Sequence, residues 1–309
     1  MLSAKGMTFG LVSKSMDDLN FVAAWHGCQD AAKIMGDHCI HIGAEGAAHP
    51  RSQAHALEKA MKIEKFDALA ISVTNSKHIA NTIKKLTIPI ITFDSPFDEQ
   101  HSFISKAYVG MKNKDVGRDI AKIAKYMYPK GGSVCLMTAA HDPNLKQRLI
   151  AVRQELSGDP HYQGNNKLSG ENGWKECARS PWNTADDITR TMGEVTYTLN
   201  IIKPDVLIAV GHWPVVDIAK YRKSVKPYSQ QLISGQTKIL IGGIGDIDGV
   251  DQLIHDNLIH AYVKINFYEI GRKSYDAMHA LVTEKPFKHA FFVPNTIKTV
   301  PPKKNHLNN

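Results

Sequence analysis

Short apolar runs alternate with stretches of helical periodicity along nearly the whole chain, and they do so in two successive series. This alternation constrains the fold more than any other feature, because apolar runs separated by helices are the pattern of βα units wound around a parallel sheet. The first series opens with Met7-Thr-Phe-Gly-Leu-Val and a helix predicted over about residues 19–35, stopped by Gly36, a residue suited to a helix C-terminus. Cys39-Ile-His-Ile-Gly, a helix from Gln53 to Ile63, Ala68-Leu-Ala-Ile-Ser-Val, a helix over Ser76–Lys85 and Ile88-Pro-Ile-Ile-Thr-Phe-Asp94 complete it. The second series contains Tyr108-Val-Gly, a helix over about Lys114–Tyr128, Ser133-Val-Cys-Leu-Met and a helix over about Asn144–Leu156. A helix over 184–201, Val206-Leu-Ile-Ala-Val, a helix from Val215 and Lys238-Ile-Leu-Ile-Gly follow. Two such series predict two similar doubly wound lobes, with ligands expected where strand carboxyl ends meet a topological switch point. Residues 157–183 resist this pattern and are expected to be loop around one short strand, with Trp174 and Trp182 used either in packing, the default for such residues, or as rim contacts. The polar segment Pro301–Asn309 is expected to fray.

The composition agrees with a folded chain. With 309 residues, 43% hydrophobic and 22% charged, the chain is long enough to bury roughly 75% of its unfolded surface. No apolar run approaches the roughly 18 residues that cross a bilayer. Lys and Arg exceed Asp and Glu by 38 to 30, a net charge of +8. Yet the densest basic groups are pairs, Lys84-Lys85, Arg222-Lys223 and Lys303-Lys304. A nucleic-acid groove needs clustered Lys and Arg with stacking aromatics or a reading motif, so the charge reads as a solvated face and nucleic acid is not an expected partner. Cys28, Cys39, Cys135 and Cys177 show no CxxC spacing and read as buried free thiols, with a Cys28–Cys39 disulfide conceivable and Cys135 placed inside a core strand. The N-terminus runs straight into a strand pattern without a signal-peptide core, as expected of a cytosolic protein or of a chain whose signal peptide has been removed.

Residues with chemistry to offer cluster at predicted strand ends. Asp94 ends the run Thr-Phe-Asp, where a carboxylate either accepts hydrogen bonds from ligand hydroxyls or starts a turn. Asn144 and Arg148 stand four residues apart on one helix face, as a ligand-binding amide and guanidinium or as part of a surface ion pair. Gly211-His-Trp-Pro214 follows an apolar strand, so Trp213 is either a stacking platform for a sugar-like ring or a core residue. Gly242-Gly-Ile-Gly-Asp-Ile-Asp-Gly249 is neither GxxxxGK[ST] nor GxGxxG, and reads as a tight turn exposing Asp246. GxSxG, HExxH and family-spaced Cys/His pairs are absent, which argues against an enzyme and leaves no catalytic residue to name. His26, His38, His41 and His49 fall on different elements, so neither a metal nor another cofactor is expected.

Several stretches, each weak alone, occur in an order that resembles the type 1 periplasmic solute-binding proteins of the ribose/galactose-binding group. They are Gly27-Cys-Gln-Asp-Ala-Ala-Lys-Ile-Met-Gly36, Thr92-Phe-Asp94, Tyr108-Val-Gly-Met-Lys-Asn113, Lys130-Gly-Gly-Ser-Val-Cys-Leu, the Asn144/Arg148 pair, Lys203-Pro-Asp205, Asn257-Leu-Ile-His-Ala-Tyr-Val and Tyr268-Glu-Ile-Gly271. The resemblance covers about residues 7–300. It implies an α/β fold of two flavodoxin-like doubly wound parallel-sheet lobes joined by a three-strand hinge, with residues 1–108 plus 266–291 in the N-terminal lobe and 109–265 plus 292–305 in the C-terminal lobe. It further implies a periplasmic protein that closes on a small polar ligand, sugar or sugar-like, either neutral or anionic. The loaded protein would be presented to an ABC-transporter permease, a sensor kinase or a chemoreceptor. The ligand set it implies is Ser13, Asp18, Phe21, Asp94, Asn144, Arg148, Trp213 and Asp246.

Departures from the family pattern bear on the ligand. Asn20-Phe21 stands where the family carries two adjacent aromatics, Ile265 where it carries a Gln, and His212-Trp213-Pro214 where it carries Asn-Asp; Lys14, Asp17 and Asp18 charge the first loop. The same fold also forms the effector domain of LacI-type regulators. That alternative predicts a DNA-binding helix-turn-helix of about 60 residues ahead of the first strand, whereas six residues precede Met7.

Overall fold

Parallel strands need a crossover of about a dozen or more residues, and the helical stretches supply one after nearly every strand. The computed structural model describes residues 6–140 and 142–299, so the expectation for Pro301–Asn309 lies outside the described residues. The chain forms two units, Met1–Lys112 with Ile265–Asn295 and Asn113–Lys264 with Thr296–Asn309, and so passes between them three times. In the first unit it runs β1 (Thr8–Val12), α1 (Leu19–Met35), β2 (His38–Ile42), α2 (Pro50–Ile63), β3 (Ala68–Ile71), α3 (Ser76–Ile83), β4 (Ile90–Phe93) and β5 (Tyr108–Gly110). In the second come α4 (Asn113–Met127), β6 (Gly132–Thr138), α5 (Pro143–Ser157), β7 (Trp174–Glu176), β8 (Trp182–Asn183), α6 (Ile188–Tyr197) and β9 (Val206–Ala209). They are followed by α7 (Ile218–Val225), α8 (Ser229–Ile233), β10 (Lys238–Ile244), α9 (Val250–His255) and β11 (Ala261–Lys264). The chain returns to the first unit for α10 (Phe267–Val282) and β12 (Ala290–Phe292), and ends in the second with β13 (Thr296–Thr299).

Both sheets have the same winding. The first is ordered β12-β5-β4-β3-β1-β2, with every pairing parallel; the second is ordered β13-β11-β10-β9-β6-β7, with β8 also on β6 and β13 antiparallel to β11. This is the flavodoxin-like order, in which the winding reverses between β1 and β3 in one unit and between β6 and β9 in the other. Every residue of β3, β4 and β9 is buried. Strands covered on both faces read as unbroken apolar runs, which is why they were visible in the sequence.

Local chemistry sets the helix limits. Asp18 caps α1 by accepting from the Asn20 N–H at 2.9 Å, and Gly36, at φ 78°, ends it in the left-handed conformation. The α1 and α10 backbones touch: a Cβ at Gly27 would lie 1.9 Å from the Tyr268 carbonyl oxygen, and one at Gly271 would lie 1.7 Å from that of Ala24. Only glycine permits that approach. The helix expected from Gln53 begins earlier, with His49 capping it and Pro50 in its first turn, a position where the missing N–H costs nothing. The helix expected over 184–201 is shorter, Ile188–Tyr197, and is prolonged by a wider turn over Thr198–Ile202.

The cysteines correct the sequence reading. Cys28 bonds Cys39 across α1 and β2, with Cα atoms 6.0 Å apart, and Cys135 on β6 bonds Cys177 just beyond β7, with Cα atoms 5.0 Å apart. The second pairing joins residues 42 apart in sequence. Only the parallel pairing of β7 with β6 brings them together. The segment expected to be loop around one strand in fact supplies two short strands, β7 and β8, to the edge of the second sheet.

His260 is buried between β10 and α8. Its Nδ1 accepts from the Ile239 N–H at 3.0 Å, so the proton sits on Nε2, 3.1 Å from the Leu232 carbonyl. Burial, aided by Lys238, pushes its pKa down from 6.5 to about 4. The unfolded chain therefore binds a proton that the folded chain refuses between those values, and stability falls as pH drops from 6.5 to 4. We predict that His260→Asn flattens this acid loss relative to the native chain by up to about 3 kcal/mol, read from urea midpoints across that range. Reduction gives an independent check on the disulfides. Chain-entropy arguments assign about 3 kcal/mol to the shorter loop and about 4 kcal/mol to the longer, so a phosphine reductant should lower the Tm, and the double variant Cys135→Ser/Cys177→Ser should reproduce most of that loss.

Candidate functional site

The strand ends at both switch points are polar and buried. In the first unit β1 runs into Ser13, Lys14 and Ser15, all below a tenth exposed. Ser13 Oγ lies 2.7 Å from Nε2 of His41, whose ring stacks on Trp25 with centroids 5.5 Å apart, and burial pushes the His41 pKa down to about 4. At the end of β4, Asp94 adopts φ 54°, a left-handed conformation that costs a non-glycine residue about 1–3 kcal/mol and is concentrated at functional sites. Its Oδ2 accepts from Ser72 Oγ at 2.8 Å and lies 3.5 Å from the Lys14 ammonium. Both members of this ion pair are buried.

Gln53 holds these strand ends together. This fully buried amide on α2 donates to the Ser13 carbonyl at 3.0 Å and the Ser72 carbonyl at 2.6 Å, and accepts from the Thr74 N–H at 3.2 Å and hydroxyl at 2.6 Å. One side chain thus joins the loops that leave β1 and β3, the two strands flanking the switch point. Asp18 and Phe21 sit at the head of α1. Asp18 serves as the helix cap, and Phe21 is buried edge-on against Phe93 and Phe267, with centroids 6.0 and 6.3 Å away. The structure gives both residues a local structural role.

In the second unit Asn144 and Arg148 lie buried on one face of α5, beyond β6. Arg148 Nε donates to Asn113 Oδ1 at 2.8 Å, and a terminal guanidinium nitrogen donates to the Val210 carbonyl at 3.1 Å, so the side chain spans the gap between α4 and the end of β9. Trp213, just past β9, is buried and donates its indole N–H to Asp186 Oδ1 at 2.6 Å. Asp246, after β10, differs from the others: it is exposed and ion-paired with Lys264. Among the described residues, no group of three or more His, Cys, Asp or Glu is placed to hold a metal.

The structure thus brings Ser13 and Asp94 into one buried network and Asn144 and Arg148 onto one helix face, places Trp213 beyond the adjacent strand, and leaves Asp246 at the surface. Gln53, Ser72, Asn113 and Asp186 were not singled out by the sequence. A signal existed for Gln53, a polar residue in register with Leu57 on the buried face of α2. Asp186 had none, since it meets Trp213 across 27 residues.

Two doubly wound units linked by three chain passages, each with a buried polar strand-end site at its switch point, define a bilobal binding protein. Residues 9–286 match the periplasmic binding protein domain, and the chain belongs to that family. No curated protein sequence matches it. Among solved structures it is similar to a solute-binding protein of an ABC transporter from Burkholderia graminis in complex with D-arabinose (19% identity, 100% of this chain and 99% of that one, TM-score 0.79). It is also similar to GanP, a glucose-galactose binding protein from Geobacillus stearothermophilus (16% identity, 96% and 98% covered, TM-score 0.77). A third similarity is to the XylFII-LytSN complex (17% identity, 96% and 98% covered, TM-score 0.71).

Removing the Gln53 amide should show how far the first unit's strand ends depend on it. Gln53→Leu leaves two carbonyls and an N–H without their partner, and buried unsatisfied groups cost about 1–3 kcal/mol each. The unfolding free energy obtained from the urea midpoint and m value should fall by at least about 2 kcal/mol with m unchanged; a loss below about 0.5 kcal/mol would show that the amide does not carry these loops.

Proposed function

We propose that this protein captures a small, hydroxyl-rich, sugar-like ligand between its two units by hinge closure and presents it to the permease of an ABC transporter. The observation that carries this reading is the pair of buried polar sites at the switch points of two units linked by three chain passages. The chemistry offered is mixed. Asp94 and Ser13 contribute acceptors and a hydroxyl, Asn144 an amide, Arg148 a planar set of donors and Trp213 an apolar face. Hydroxyl-rich rings are bound by such a combination of convergent polar groups beside an aromatic surface. Lys14 and Lys264 are each matched to a carboxylate, Asp94 and Asp246, so these pairs add no net charge and favour a neutral ligand over an anionic one. The sugars named for the similar structures agree with this class.

A location outside the cytoplasm follows from the family, and two disulfides suit an oxidising compartment. We infer that the chain reaches it through a signal peptide removed on export. Presentation to a membrane sensor is a second reading, favoured by the similarity to XylFII in its complex with LytSN.

A thermal-shift panel of D-arabinose, D-galactose, D-fucose and D-tagatose tests the ligand class, since a ligand at 100 times its Kd stabilises by about 2.7 kcal/mol. At least one sugar should raise the Tm, and that sugar should reduce the radius of gyration in X-ray scattering; an unchanged profile at saturation rejects closure. Arg148→Ala should weaken its binding about 100-fold by calorimetry, in line with loss of charged hydrogen bonds of about 1.5–3 kcal/mol. Near-native affinity in that variant removes Arg148 from the site.

A further inference from the structure

The end of β9 and the edge segment that reaches it form an arrangement that the ligand set above leaves unexplained. Trp213 is held from several directions. A Cβ at Gly211 would lie 2.6 Å from the indole ring, so glycine alone lets the ring rest on the strand end. The His212 ring lies nearly parallel to the indole, at 17° and 6.4 Å between centroids. Asp186 accepts the indole N–H at 2.6 Å, meeting the need of a buried indole for an acceptor.

The backbone that delivers Asp186 is unusual. Ala185 and Asp186 are consecutive non-glycine residues in the left-handed conformation, at φ 52° and 58°. Such residues are unfavourable by about 1–3 kcal/mol each and persist only when the surroundings impose them. Here the surroundings do so. Asn183 Oδ1 accepts from the Ala140 N–H at 3.0 Å and the Ala185 N–H at 3.3 Å, and the Thr184 N–H donates to the Thr138 carbonyl at 2.8 Å. Upstream, the segment is fastened to the same sheet by the Cys135–Cys177 disulfide and by the Leu136 N–H donating to Ser180 Oγ at 2.8 Å. Glu176 adds a buried bidentate pair with Arg153, at 2.9 and 2.7 Å. Helix capping does not account for Asp186, because Asp187 caps α6 by accepting from the Arg190 N–H at 2.6 Å.

We propose that Asp186 is a positioning residue that fixes the orientation of the Trp213 indole, and that the disulfide-fastened edge segment is the scaffold that holds it there. This rests on the reading of Trp213 as the aromatic platform. The role is one of geometry: a ring held by its N–H keeps one rotamer, and the rotameric freedom lost on binding is already gone before ligand arrives. The amide oxygen of Asn can accept the same hydrogen bond, and both Asn and Gly tolerate the left-handed backbone. Asp186→Asn should therefore preserve the function, and Asp186→Gly should remove it without adding backbone strain.

The test compares the native chain, Asp186→Asn and Asp186→Gly, each with and without Trp213→Phe, so that difference spectra isolate the Trp213 emission. In the absence of sugar, Asp186→Gly should change that emission and raise its quenching by acrylamide, whereas Asp186→Asn should leave both near native. With whichever panel sugar gives the largest Tm rise, Asp186→Gly should weaken binding about tenfold and Asp186→Asn by less than about threefold. An unchanged Trp213 emission in Asp186→Gly overturns the proposal. Equal loss of affinity in Asn and Gly variants also overturns it, since the carboxylate charge would then act on the ligand directly. Altered emission with native affinity in Asp186→Gly shows that the ring's orientation does not matter to binding, which is a third way to reject it. If no panel sugar raises the Tm, the sugar reading fails, and the emission comparison alone decides whether Asp186 fixes the ring.

Discussion

Parallel pairing is the constraint on which the rest of the molecule depends. When strands run in one direction, their carboxyl ends share one edge, and the connections that leave this edge diverge wherever the winding reverses. In the first unit that divergence separates the exits of β1 and β3, and in the second those of β6 and β9. Ser13, Ser72, Asn144 and Trp213 all follow these four strands within a few residues. They are near a common crevice in each unit because of strand order, before any side-chain interaction is considered. The interactions then decide how firmly each is held.

The two units solve that second problem differently. A loop leaving a buried strand end carries peptide groups that need partners and backbone freedom that must be restrained. In the first unit one buried amide, Gln53, satisfies groups on both exits, and Ser72 continues the network to Asp94 and Lys14. In the second unit the Arg148 guanidinium bridges Asn113 and the Val210 carbonyl at the strand ends, and Cys135–Cys177 and Arg153–Glu176 fasten the edge of the sheet. A hydrogen-bonded hub is sensitive to removal of a single donor. A disulfide limits the unfolded ensemble whichever neighbouring contact is lost.

What the sequence disclosed follows the same division. Runs such as Ala68–Val73 and Val206–Val210 announced buried parallel strands because both faces are covered, and Gly36 and Asp18 marked helix limits because capping is local chemistry. The position of Asp94 at a strand end was legible for the same reason, since periodicity had already located β4. The disulfides were misread because their partners meet only through the tertiary fold, α1 beside β2 and β7 beside β6. The edge strands β7 and β8, of three and two residues, are too short to carry a period. Asp186 was invisible because a left-handed backbone and a partner 27 residues away leave no mark on a window of sequence.

The identities of 16–19% to structures that cover nearly the whole chain fit this separation of causes. Periodicity, covered strands and the glycines that let α1 and α10 touch are enough to specify two doubly wound units, and none of these features says anything about a ligand. On the proposed reading, specificity comes from the few side chains at the strand ends, among them Lys14 paired with Asp94, and Trp213. In this chain Lys14, Trp213 and Ile265 are all buried. A site built from groups fixed in advance to their own sheets loses little side-chain entropy on binding. On the proposed reading, its affinity then depends on how well a ligand matches groups that are already held in place before it arrives.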